Sequence, residues 1–518
     1  MSRTLTIRFT SDTHGYLYPT SYADSLERPM GLMKLAGEFP HDGDTLIIDG
    51  GDTIQGSPMT NLYHRLPREE QTACLASDAY GTNPFAAMMN LAGYQFVTLG
   101  NHDFNNGVDA LYDYLSQLDA LCLCCNIRDR EGRLPIAPYA VHRLANGLRV
   151  GLVGACTHYV SRWENPATAE KLVIEEPVAA CAAALEALRG QCDVTVLIYH
   201  GGFECDLATG APLTDSTENQ ACRICRELGF DLVLTGHQHM PVAGQRFANS
   251  YVVQPGYRAP HCCAVTVTVE EDGSKRIESA LLSAQGAPLA GAGELLAPLE
   301  ARVQQWLDTP AGHLDHALDA GDHLDKALHG SDLMNFINTV ERELSGAQIA
   351  TCAPANELKG LPENVTIRDV VSTYIYTNTL VVLELTGRTL RRYMERSAAY
   401  FDHDAQGNVC ISDEFLRPKV QHYNYDYFSG VDYVIDTRRP VGQRVTSVRL
   451  DGRELGDEET VSVCVSSYRV CGTGGYGMLP GQKVLCDVQV DVADAIIDYI
   501  MRHPSIVVDT HRYCTVLE

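Results

Sequence analysis

A layered α/β fold is what this 518-residue chain predicts, on three observations. Short apolar runs of strand length recur through the first half. Each ends in a turn of Gly, Asp, Asn or His. A shift to connector composition near residue 285 is then followed by fresh helix and strand patterns, so a second domain follows the first.

The first run, Thr4 to Thr10, is followed by Asp12-Thr13-His14, and the second, Thr45 to Ile48, by Gly51-Asp52. Phe96 to Leu99 leads into Gly100-Asn101-His102-Asp103, Val194 to Tyr199 into His200, and Leu232 to Thr235 into Gly236-His237-Gln238-His239. Strands whose following loops all carry polar side chains converge them on one crevice. Carboxylates suit hard divalent cations and neutral imidazoles suit transition metals. A shared Asp holds two ions about 3.5–4 Å apart, the spacing used for phosphoester hydrolysis. One such histidine would usually be a surface or core residue; five elements in order, each after a strand-like run, read as a dinuclear hydrolase centre.

Between the domains, Gln285-Gly-Ala-Pro-Leu-Ala-Gly-Ala-Gly293 leads into a predicted helix with Leu295, Leu296, Leu299, Val303 and Leu307 on one face. The domains expected are 1–284, a linker with a connector helix over 285–312, and 313–518. A ten-residue echo, His313-Leu-Asp-His-Ala-Leu318 and His323-Leu-Asp-Lys-Ala-Leu328, reads as packing and solvated surface, not a metal site. In the second domain a helix is expected from Ser331, with Leu333, Phe336, Ile337, Val340 and Leu344 as its core stripe. A strand over Leu380 to Leu385 and a helix through Leu390, Tyr393, Met394 and Ser397 come next. Tyr423-Asn-Tyr-Asp-Tyr-Phe-Ser-Gly430 and Tyr468-Arg-Val-Cys-Gly-Thr-Gly-Gly-Tyr476 set aromatic rings beside glycines, a pattern able to wall in a flat ring such as a nucleobase.

Charge narrows the partners. With 40 Lys plus Arg against 66 Asp plus Glu, the formal charge is −26, which disfavours a nucleic-acid polymer. A small anionic substrate stays compatible, because bound divalent ions dominate the local field. No stretch is long and apolar enough to span a membrane. Met1-Ser2-Arg3-Thr4 lacks the apolar segment of a signal peptide, so a cytoplasmic location is expected, or a periplasmic or extracellular one had an export segment been removed. The 18 cysteines are dispersed and are expected to be mostly reduced; Cys122, Cys124 and Cys125 lack the second pair a zinc site needs.

The five elements over residues 5–245 resemble the calcineurin-like metallophosphoesterase signature. That resemblance implies a four-layer β-sandwich flanked by helices, two divalent ions (Mn, Zn, Fe, Co or Ni) and a metal-activated water as nucleophile. It assigns Asp12, His14, Asp52 and His239 to one ion, and Asp52, Asn101, His200 and His237 to the other. His102 is left unligated, to stabilise developing charge or protonate the leaving oxygen.

Residues 331–480 resemble the C-terminal α+β substrate-binding domain of the 5′-nucleotidase family, through Tyr376-Thr-Asn-Thr-Leu380, Leu385-Thr-Gly387, Ser429-Gly430 and Gly472 to Tyr476. The resemblance makes Tyr425 and Tyr468 the aromatic pair that sandwiches a base, with Tyr423 and Asn424 beside them and the rung in the tyrosine-rich segment open by one or two residues.

Three departures bear on the subgroup. Ala350-Thr-Cys-Ala-Pro-Ala-Asn356 stands where 5′-nucleotidases have Asn-Gly-Gly-x-Arg, Asn105 where they pair the catalytic His with Asp, and Gly472-Thr-Gly-Gly475 where they have Gly-Gly-Asp-Gly. These, with Ser397-Ala-Ala-Tyr-Phe401, are similar to the 2′,3′-cyclic-nucleotide 2′-phosphodiesterase/3′-nucleotidase subgroup. Such an enzyme opens a cyclic phosphate and then removes the 3′-phosphate. A 5′-nucleotidase or nucleotide-sugar hydrolase is the alternative, and a catalytically silent nucleotide-binding protein a remote one. Oligomeric state is not legible.

Overall fold

The computed structural model describes residues 2–518 except 24, 214–216, 377, 471, 489 and 504. It divides into two compact units, residues 1–304 and 305–518.

The first unit is built on two sheets. In the seven-stranded sheet the order is Lys275–Ser283, His261–Val269, Arg3–Thr10, Thr45–Asp49, Phe96–Val97, Leu121–Leu123 and Ile136–Ala137. The six-stranded sheet runs Pro241–Phe247, Ser250–Pro255, Leu232–Thr235, Val194–His200, Arg149–Cys156 and Tyr139–Arg143. Leu5, Ile7, Phe9, Leu46 and Ile48 of one sheet share a fully buried cluster with Leu152, Val196, Ile198, Leu232 and Leu234 of the other. Removing each such side chain from water stabilises the fold by roughly 1.5–3 kcal/mol. Thr45–Asp49 is buried at every position, as expected of a parallel strand covered on both faces. Helix Pro177–Ala187 covers the outer face of the six-stranded sheet with Val178, Cys181 and Ala184.

Parallel pairing sets the site. Arg3–Thr10 pairs in parallel with Thr45–Asp49, and that strand with Phe96–Val97, so their carboxyl ends open at one edge. Val194–His200 and Leu232–Thr235 do the same in the facing sheet. Strands stand at all five expected places, the third shortened to Phe96–Val97, and the ligand-bearing strands belong to two facing sheets.

The connector helix is Ala292–Leu307, and Leu295, Leu296, Leu299, Val303 and Leu307 are all buried. In the second unit a five-stranded sheet runs Tyr427–Ser429, Ile349–Cys352, Thr460–Ser466, Leu380–Thr386 and Lys483–Val488. Helix Asp332–Ser345 packs on it, started by the Ser331 hydroxyl accepting from the Met334 amide and ended by Gly346 at φ 68°. Leu333, Phe336, Ile337 and Val340 are buried there, but Leu344, in the last turn, is 37 % exposed. Helix Gly387–Ala398 buries Leu390, Tyr393, Met394 and Ser397. The histidine echo is not a structural repeat: its first copy ends the strand Pro310–His313, and its second forms the helix His323–His329.

Among the described residues fifteen cysteines are free and one disulfide joins Cys205 to Cys222. No described helix is long and apolar enough to cross a membrane.

Candidate metal centre

Two groups of possible metal ligands meet at the strand ends: Asp12, His14 and His239, and Asp12, Asp52 and His200, with ligand atoms within 4.8 Å of one another in each. His14 Nε2 stands 3.0 Å from His239 Nε2, and His239 Nε2 is 3.5 Å from Asp12 Oδ1. Asp52 Oδ2 lies 3.2 Å from His200 Nε2 and 3.9 Å from His14 Nε2, between the two groups. Asn101 and His237 form a third element beside these, His237 Nδ1 to Asn101 Oδ1 at 2.8 Å, with the His237 and His200 ring centroids 5.5 Å apart.

The backbone is bent to make this arrangement. Asp12, His14, Asp52, His237 and His239 all have positive φ, between 49° and 71°. Each such residue costs of order 1–3 kcal/mol, and strain of this kind persists where the surroundings over-determine it. Asp103 supplies much of that determination. Its buried carboxylate accepts from the amides of Asp52, Thr53, Ile54 and Gly100 at 2.8–3.2 Å. Asp49 accepts from Gly51 N and from the Thr10 and Thr53 hydroxyls. Gly51, at φ 90°, and Gly100 approach so closely that a Cβ on either would run into the other's turn.

The donor set fits a cation. Asp52 Oδ2 and His200 Nε2 are buried without a hydrogen bond. Burial works against charge on His200, yet Asp52 and Asp12 overcome it and lift the imidazole to about 10. Burial likewise would raise Asp12, but His200 and His239 outweigh it and hold that carboxyl at about 2. Negative charge that concentrates a proton so strongly is charge that a divalent ion neutralises, releasing the proton as it binds.

The outer contacts were not legible in the sequence. Trp163 stacks on His237 with centroids 5.5 Å apart, and Tyr257 on His239 at 4.4 Å and an interplanar angle of 5°. Glu218 lies 2.8 Å from His237 Nε2, so Nδ1 is the nitrogen left for a metal. The His200 ring turns Nδ1 to Gly50 O at 2.7 Å, which likewise leaves Nε2 facing the carboxylates. His102 sits at the rim; its amide donates to Asp52 Oδ1 at 2.8 Å, and its Nδ1 meets Asn105 Oδ1 at 2.8 Å.

In the second unit the expected aromatic wall is corrected. Tyr425 is 2 % exposed, packed by Tyr400 at 4.8 Å, Tyr427 at 4.9 Å and Phe401 at 5.8 Å; its ring is core. Asn424 is also buried, its amide committed to Arg469 and Gln421. The short 3-10 turn His422–Asn424 leaves Tyr423 half-buried instead, with Tyr376 edge-on at 6.4 Å and the Lys419 ammonium 5.7 Å from the ring centroid. Tyr468 is half-buried too. Buried Arg469 organises both segments: it grips both oxygens of Asp426 at 2.7 and 2.8 Å and also the carbonyls of Tyr423 and Thr473. Thr377 and Cys471, within two of the motifs, lie outside the described residues.

Sandwich, strained turns and Asp/His cluster define a calcineurin-like phosphoesterase, and the family model of that description matches residues 5–241. The model of the 5′-nucleotidase C-terminal domain matches residues 310–481. A Staphylococcus aureus protein named provisionally as a 5′-nucleotidase and crystallised with α-ketoglutarate superposes with a TM-score of 0.87. It is 30 % identical, with 100 % of each chain covered. The chain belongs to the 5′-nucleotidase family of metallophosphoesterases.

The Salmonella typhimurium 2′,3′-cyclic-nucleotide 2′-phosphodiesterase/3′-nucleotidase is 22 % identical over 90 % of this chain and 81 % of its own length. The Bacillus subtilis trifunctional nucleotide phosphoesterase protein YfkN is 21 % identical over 97 % of this chain, which spans 38 % of that relative's length.

Proposed function

We propose that the protein hydrolyses 2′,3′-cyclic nucleotides and 3′-nucleotides to nucleoside and phosphate. The observation that carries this reading is the likeness, over 90 % of the chain, to the Salmonella typhimurium relative that bears this activity in its name. Asn105 against His102, and the missing arginine between Ala350 and Asn356, agree with it.

In this reading Asp12, His14, Asp52 and His239 hold one divalent ion, and Asp52, Asn101, His200 and His237 a second. When bound, such a pair would lower the proton affinity of a water and polarise the phosphoryl oxygens. The chain's own groups do the rest. Asp103 and the strained turns keep the carboxylates in place before substrate arrives. His102 offers a proton to the oxygen that departs from phosphorus. Tyr423 and Tyr468 stack on the base, while Arg469 and Asp426 hold the segments that carry them.

A 5′-nucleotidase activity is the second reading, favoured by the likeness to the Staphylococcus aureus protein. Phosphate release from 3′-AMP and 5′-AMP, with Mn²⁺ and with chelator, separates the two when 2′,3′-cyclic AMP is followed by chromatography alongside. Preference for 3′-AMP with ring opening is the expected result; preference for 5′-AMP overturns it.

A further inference from the structure

His102 is aimed by a chain of hydrogen bonds that ends on a buried carboxylate from a distant segment. Asn105 Oδ1 can only accept, so His102 Nδ1 is the donor across their 2.8 Å contact and carries a proton. Asn105 Nδ2 then donates to Glu164 Oε2 at 3.1 Å. The opposite amide orientation would set its oxygen against the carboxylate, so Glu164 decides which end of Asn105 meets the imidazole. Glu164 is 9 % exposed, and its other oxygen is anchored by the Asn165 amide at 2.8 Å. The residue before it is Trp163, the indole stacked on His237. The end of helix Val160–Trp163 and the residue after it therefore touch the site twice, through the ring of His237 and through the relay to His102.

We propose that Glu164 is a positioning residue for phosphoester hydrolysis. Acting through the amide of Asn105, it holds Nδ1–H and so fixes the plane of the His102 imidazolium, from which Nε2–H is presented to the leaving oxygen. The inference rests on the phosphoesterase reading above. In the step, the oxygen of water bonds to phosphorus, and the bond from phosphorus to the ester oxygen breaks with its electron pair going to that oxygen. That oxygen takes the Nε2 proton, and the proton lost by water restores the imidazolium through solvent. Asn105 is exposed, so water competes for its hydrogen bonds and the relay contributes orientation more than charge.

The leaving group distinguishes this role from a merely structural one. A ribose alkoxide needs the proton; a p-nitrophenolate departs without it. The test compares the metal-loaded wild type with Glu164→Ala, Glu164→Gln and Asn105→Ala on two substrates. One is p-nitrophenyl phosphate, and the other is whichever of 3′-AMP and 5′-AMP the wild type turns over faster. The choice of nucleotide keeps the test intact when the 3′ reading fails. Bound metal is measured for each variant.

Glu164→Ala is expected to lower kcat on the nucleotide about tenfold with KM within about twofold, and to leave the nitrophenyl ester nearly unchanged. Glu164→Gln, which keeps an acceptor oxygen for Asn105, recovers most of that loss. Equal losses on both substrates, or an undiminished kcat on the nucleotide, overturn the proposal. If Glu164→Ala does not fold, Asn105→Ala at the exposed link carries the same comparison, and an unchanged nucleotide kcat there overturns it equally.

Discussion

Among the described residues nine non-glycine residues of the first unit have positive φ, five of them at the proposed ligands, whereas in the second unit Asp451 alone does. The first unit aims its side chains by bending the backbone under them and holding the bend with the buried carboxylates of Asp103 and Asp49. In the second, Tyr423 and Tyr468 stand on relaxed backbone, and one side chain, Arg469, ties their segments together through Asp426. Metal coordination tolerates errors of tenths of an ångström, which justifies strain; stacking on a flat ring tolerates sliding, so a single cross-tie suffices.

If that contrast is right, the first unit should fail in chemistry and the second in folding or affinity. His102→Ala should show the largest effect, a fall in kcat of about 10²–10⁴-fold with the melting temperature little changed, read by steady-state kinetics and calorimetry. Arg469→Met should do the reverse. Loss of the guanidinium leaves the Asp426 carboxylate buried without its partner, at a cost of about 3–5 kcal/mol in denaturant unfolding. A chemistry-limited defect in that variant, with unfolding unchanged, would break the comparison.

Smaller effects sharpen it. Tyr423→Ala is expected to raise KM for a nucleotide in line with a stacking loss of about 1–3 kcal/mol while kcat holds. Tyr425→Phe should leave KM alone, since only a 3.4 Å contact to the Ala327 carbonyl is lost. An equal KM change in both would return Tyr425 to the binding wall.

The smallest effect concerns Glu341, buried in helix Asp332–Ser345, whose carboxyl burial and then Asp426 push well above the usual carboxylate range. In the fold it keeps its proton, while the unfolded chain gives it up above about pH 4.3. The second unit should therefore lose stability as pH rises through that value toward the folded-state one. Glu341→Gln should abolish this slope and raise the melting temperature at alkaline pH, each ~1 kcal/mol gained being worth about 2–4 °C. An unaltered slope in thermal melts between pH 4 and 8 would show that the proton is not there.

How much of this the sequence disclosed follows from the same division. Asp12, Asp52, Asn101, His200, His237 and His239 were readable because each follows a strand-like run, and parallel strands deliver their carboxyl ends to one edge. Trp163, Glu164, Glu218 and Tyr257 were not, because they reach the site from helices and loops whose placement no local period encodes. Tyr425 was misread for a related reason. In Tyr423-Asn-Tyr-Asp-Tyr427 every second residue is aromatic, so alternation alone cannot say which ring faces outward; the ties from Arg469 to the Tyr423 carbonyl and Asp426 decide it. Leu344 fits the helical stripe but is exposed in the last turn, which the period alone does not reveal.

Asp103 braces the Asp52 turn from 51 residues downstream, and His237, whose amide bonds the Asp12 carboxylate, follows that aspartate by 225. On a ribosome adding roughly 5–20 residues per second, the first carboxylate waits on the order of ten seconds or more for His237. Through that interval the nascent chain carries only part of the ligand set. Completion of the ligand set is thus a late event, timed by the closing of the second sheet over the first.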